Sequence, residues 1–175
     1  MHTYLNDAKE QLKRVDHLIY VSLKYTRTVD VLKSILKRLI AGFDDLMTAL
    51  LKLNVELGKI PELPHSVVAR FKTLETLYPH PEIKRLLRFQ SVMRKLDRAE
   101  PIKSNEYRRG VRMSAFLGHT VLELDIDNVE EYFKQVQIFF KLSVKIIEKS
   151  LETKEPLDLE ELINGVNIDM AFERG

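Results

Sequence analysis

The chain contains no cysteine. That absence removes disulfides, thiolate nucleophiles and cysteine-ligated zinc together, and it suits a reducing interior such as the cytoplasm. Apolar runs are only a few residues long, far short of the ~20 that a membrane-spanning helix needs. The first residues, Met1 to Asp7, lack the basic-then-apolar order of a signal peptide. Glycine is scarce, six in all and never two within three residues, so the usual glycine-rich phosphate cradles are excluded. The five histidines, at positions 2, 17, 65, 80 and 119, never pair at a spacing of three or four, which argues against a helical metal site. No cofactor is implied. Asn and Gln are also few beside many Lys, Arg and Glu, a balance that resembles heat-adapted compositions.

What is present suits one globular domain. The 175 residues are 45% hydrophobic and 31% charged, enough for one substantial core. Leu5, Ala8, Leu12, Val15, Ile19 and Ser22 recur at alternating spacings of three and four, which predicts a helix over residues 4–25. Val29, Leu32, Leu36, Leu39, Phe43, Leu46, Leu50, Leu53 and Leu57 keep that alternation for four heptads. Thr28 is placed to cap this second helix and Gly58 to stop it. Val31, Ile35, Ile40, Met47 and Ala49 widen its stripe, so it should pack against several helices rather than one. Pro61 and Pro64 break the chain; further helices are expected from Ser66 to Pro79, and from Pro81, at a first helical position, to Arg98. Pro101 to Asn105 reads as loop. The period then drops to two on both sides of Gly118-His119, which predicts a β-hairpin of residues 111–117 and 120–126. Asp127 and Glu130 match a capping box for a last long helix ending near Leu151, and Asp158 opens a short helix that stops at Gly165. The expected fold is therefore mainly α: a helical bundle around two long antiparallel helices with one short β-hairpin near residues 111–126. Residues 1–153 would form the bundle domain, and 154–175 a C-terminal short helix and tail that frays or docks on a neighbour.

Charge is unevenly distributed. Net charge is +2 overall, yet Lys84 to Arg112 holds ten Lys/Arg against three Asp/Glu, and Glu123 to the end holds six against thirteen. A basic middle and an acidic tail suit self-association, as in a homodimer, or an anionic partner. Two segments concentrate this chemistry. Lys24, Tyr25 and Arg27 lie where the two longest helices meet, beside the backbone donors of the second helix. They read either as an anion site or as a corner whose polar residues only cap the turn. Arg94, Lys95, Arg98, Tyr107, Arg108, Arg109 and Arg112 combine cations with an aromatic ring, as RNA backbone contact and base stacking require. The competing reading pairs these arginines with the acidic last helix. Asp44 and Asp45, adjacent on one helix, diverge by about 100° and should face solvent.

Arg112 and His119 bracket six residues. This resembles the Arg-x(4–6)-His motif of HEPN domains, a helical family that includes metal-independent ribonucleases. The resemblance implies that Arg112 and His119 sit together at a helix end, facing the same pair of a partner subunit. Met113 stands where that family usually has a polar residue. Tyr20–Ile40, with Glu106–Val111 and Asp125–Phe133, is similar to an uncharacterised archaeal all-helical family. That resemblance implies a helical fold and an archaeal, cytoplasmic origin but no activity. The leading functional expectation is a non-enzymatic module whose basic surface contacts RNA or another polyanion. The alternatives are a HEPN-like ribonuclease using Arg112 and His119, and a structural adaptor that binds a protein partner through an apolar helix face.

Overall fold

The structure is a computed structural model and describes residues 1–153 and 156–166. Among these residues the fold is mainly α, with six helices and a small antiparallel sheet. α1 (His2–His17) continues through a π-helical turn (Leu18–Ser22) and a last α turn (Leu23–Tyr25). After it come α2 (Val29–Glu56), α3 (Val67–Leu77) and α4 (Pro81–Arg98). The sheet comprises β1 (Ile102–Ser104), β2 (Arg112–Leu117) and β3 (Thr120–Asp125). α5 (Ile126–Glu152) and α6 (Leu159–Asn164) complete the order.

The two long helices α1 and α2 run antiparallel. Gln11 accepts from Arg38 at 3.2 Å, and a Cβ on Gly42 would lie only 3.3 Å from that of Gln11 and 3.7 Å from the Ala8 carbonyl. Small residues at this crossing let the two backbones approach. α2 starts where Thr28, in an extended conformation, accepts from the Val31 amide. Its wide stripe buries residues toward α1, α4 and α5 at once. Phe43 stacks on Phe139 of α5 with centroids 4.1 Å apart and planes 10° from parallel. Ser66 caps α3, and His80 caps α4 by accepting from the Glu82 amide, with Pro81 in the first turn. The His80 ring also reaches Glu160 of α6 at 2.9 Å, and Lys145 of α5 donates to the Gly165 carbonyl, so the short C-terminal helix lies against the bundle.

Four local expectations are corrected. In α1 the π turn inserts one extra residue into the ladder and rotates the residues beyond it. The buried position passes from Ser22, which is half-buried, to Leu23. Residues 102–104 are not loop: Ile102, Lys103 and Ser104 pair with Ser114, Met113 and Arg112, making β1 a third strand. The capping box of α5 is Asp125 with Asn128, whose side chains and amides exchange bonds of 2.9 and 2.8 Å, rather than Asp127 with Glu130. Asp44 is not turned to solvent. It accepts from Gln90 at 2.7 Å and from Arg94, tying α2 to α4. The hairpin itself runs as expected, with Gly118 at φ +64° in the first position of its two-residue turn. The tail from residue 167, expected to fray or dock, lies outside the described residues.

The core forms one cluster from Ala8 to Val166, with Met113, Ala115 and Leu124 sealing it from the sheet side. Replacing Phe43 by Ala should destabilise the protein by about 3–5 kcal/mol, because the stacked ring is fully buried and its cavity cannot collapse between two helices. Urea unfolding of the variant measures this; a loss below about 1 kcal/mol would mean the ring is not in a packed core.

Candidate nucleic-acid interface

β1 and β2 are joined by a tight turn, residues 105–111, that folds back onto the corner between α1 and α2. Asn105 holds the turn closed by donating to the Gly110 carbonyl, while the Arg108 amide donates to the Asn105 carbonyl and the Val111 amide to that of Arg108. Asn105 and Tyr107 both take left-handed backbone angles, φ +52° and +63°. Asparagine tolerates this region; tyrosine does so at a cost of roughly 1–2 kcal/mol. Two contacts hold the strained turn. The Tyr107 amide donates to the Arg27 carbonyl at 2.7 Å, and the Glu106 carboxylate accepts from the Val29 amide at 3.1 Å. Lys103, on β1, reaches Asp30 at 2.9 Å alongside.

These contacts unite two of the segments read from the sequence. The backbone bond places Arg27 directly against Tyr107, with Lys24 and Tyr25 preceding the one and Arg108 and Arg109 following the other. Tyr25 and Tyr107 are 79% and 78% exposed, so both rings stand in solvent while their backbones are fixed. Lys24, Arg108 and Arg109 are exposed and Arg27 half-buried, and none of the four makes an ion pair among the described residues. The start of α2 is not a vacant anion site, however: Glu106 already fills it, a negative charge where the helix dipole favours one.

The remaining basic residues divide. Arg94 is held by Asp44 inside the bundle. Arg112 spans β3, 3.1 Å from Glu123 and 3.6 Å from Asp125. Its partners thus lie on the neighbouring strand and not on α5. Lys95 and Arg98, exposed on the last turns of α4, sit elsewhere, beside Phe116 of β2. Arg112 and His119 are not brought together. Arg112 opens β2, while His119 lies in the turn beyond its far end, five residues of strand away or about 17 Å. No group of three or more His, Asp or Glu among the described residues could hold a metal ion, and no helix among them is long and apolar enough to cross a membrane.

Compared with protein-family models, with curated proteins and with solved structures, the chain matches none. Its function is therefore read from geometry.

One feature escaped the sequence. Glu106 carries no local signal, because its role depends on a helix start far away in the chain. Phe116 was legible, since an aromatic residue shares the outer strand face with Arg112 and Ser114. A titratable group lies apart from this surface. Burial pushes the Asp45 carboxyl up to about 6, with Asp7 and Asp44 adding like charge. A carboxylic acid whose folded pKa lies above its unfolded value binds more protons in the fold, so its contribution to stability declines as pH rises from about 4 to about 6. Asp45→Asn should therefore raise thermal stability above about pH 6 and lose that advantage below about pH 4. Melting temperatures of both proteins from about pH 3.5 to about pH 8 provide the check; a variant less stable at about pH 7 would contradict it.

Proposed function

We propose that this chain is a non-enzymatic binding module that takes a polyanion, RNA in the first place, on the tyrosine–arginine corner formed by Lys24, Tyr25, Arg27, Tyr107, Arg108 and Arg109. The observation that carries the reading is the Tyr107 amide bond to the Arg27 carbonyl. It joins the backbones of two segments distant in sequence, each with an exposed tyrosine beside cations, which supports reading them as one surface. Cations without carboxylate partners attract phosphates, and exposed aromatic rings with rigid backbones offer bases a stacking face. A strained non-glycine backbone at such a position supports the assignment, because folds keep strain of this kind where a side chain must be held in place. The ribonuclease alternative requires Arg112 beside His119, and Arg112 is engaged by Glu123 and Asp125. No specific observation favours that reading.

RNA affinity should fall linearly with salt on logarithmic axes, by about 0.7 per phosphate contact on a single strand. Replacing Arg108 and Arg109 together by Ala should lower that slope by about 1.4 if each meets one phosphate. Melting temperature should not change, because both side chains are exposed and unpaired among the described residues. Fluorescence anisotropy at several salt concentrations reads the slope. Absence of RNA binding at low salt, or an unchanged slope in the double variant, would refute the proposal.

A further inference from the structure

A second surface repeats the chemistry of the corner at the other end of β1. Lys95 and Arg98, on the last turns of α4, border an open groove lined by Ile102, Phe116 and Leu117, with Glu100 its one carboxylate among the described residues. The register explains the lining. Ile102 stands opposite Ser114, and Phe116, two residues further along β2, stands opposite Val121. Ile102, Phe116 and Val121 therefore share the outer face of the sheet, away from Met113 and Ala115, which are buried. Ile102 is 50% exposed, Phe116 63% and Val121 47%. An aromatic ring lying open on a sheet, next to two cations that make no ion pair among the described residues, forms a stacking platform with phosphate contacts beside it. Pure apolar docking would not call for the cations, and a purely electrostatic surface would not call for the exposed ring.

β1 connects the groove to the corner. Tyr107 is five steps along the chain from Ile102, at most about 18 Å when extended. A single polynucleotide strand can cover that distance within the ~4–16 nucleotides that comparable single-strand sites occupy. β1 is also an edge strand, so no further strand stands between its exposed side and solvent.

We propose that this groove is a second foothold for a single-stranded polynucleotide whose other part sits on the tyrosine–arginine corner. One base stacks on Phe116, neighbouring phosphates lie on Lys95 and Arg98, and the strand tracks the edge of β1 between the two sites. The inference rests on reading the corner as an RNA contact. It adds that the ligand is single-stranded and must be long enough to reach both sites.

A length series separates the two readings. Labelled oligoribonucleotides of about 2, 4, 8 and 12 residues, bracketing the ~4–16 range, are titrated at low salt with the full chain, with Phe116→Ala, and with Lys95→Ala combined with Arg98→Ala. In the parent protein, affinity should rise at least about tenfold between the lengths too short to reach both sites and those that do. The groove variants should remove that rise, by roughly 5- to 150-fold for the ring, the range that losing one base stack implies. They should leave melting temperature unchanged and lower the affinity of the dinucleotide far less than that of the lengths that reach both sites. A deoxyribose series decides whether the 2′-hydroxyl contributes, and a blunt duplex of equal length should gain nothing from Phe116. If oligonucleotides bind but affinity is flat with length, or the groove variants behave as the parent, the groove serves another partner, such as an acidic peptide, and the inference is overturned while the corner stands. If no oligonucleotide binds at any length, both fall.

Discussion

α2 is apolar around most of its circumference, and the rest of the molecule is arranged to cover it. Of its 28 residues, 16 are buried. A stripe that wide cannot be satisfied by one neighbour, so α1 packs along one side, α5 along another, and α4 and the sheet close the remainder. The close approach at Gly42 and the Phe43–Phe139 stack are the points where this covering is tightest. The same requirement sets where polar groups are allowed. Asp44 lies at the margin of the buried stripe and is satisfied by Gln90 and Arg94, so a carboxylate at that position links α2 to α4 instead of disrupting them.

Covering α2 also fixes its first turn in space, and the candidate interface depends on that turn. The 105–111 turn closes over it, Glu106 supplies the negative charge that the helix start attracts, and Tyr107 is held by the Arg27 carbonyl. The fold thereby sorts these basic residues into two populations. Arg94 and Arg112 have carboxylate partners and act in the architecture. Lys24, Arg27, Arg108 and Arg109, with Lys95 and Arg98, have none among the described residues, and they stand beside exposed rings. An exposed ion pair such as Arg112 with Glu123 contributes at most about 1 kcal/mol, so sequestering that arginine changes recognition more than stability.

Elements with strong local determinants were legible in the sequence. The periodic stripe of α2, the cap at Thr28, the helix start at Ser66, Pro81 in the first turn of α4 and the Gly118 turn all arise from nearest neighbours in the chain, and each is found in the structure. The failures share one cause. β1 is three residues long, too short to show an alternation, and exists because β2 offers it an edge. The box at Asp125 was displaced by two residues because Asp127-x-x-Glu130 matches the same pattern locally; the end of β3 decides between them. The π turn becomes visible only once Leu23 must face the core. For the interface, residue types were readable and their grouping was not. Whether Tyr107 joins Arg27, or Arg112 is engaged by Glu123, depends on contacts that only the assembled fold creates.

If the corner takes RNA as proposed, the rings of Tyr25 and Tyr107 meet the nucleic acid together. Ultraviolet cross-linking to a single-stranded RNA, with mass-spectrometric mapping of the modified residues, tests it most directly. Adducts on Tyr25 and Tyr107 in one complex, both suppressed by high salt, are the expected result. Adducts confined to other tyrosines, such as the half-buried Tyr132, or RNA recovered without any adduct, would contradict it.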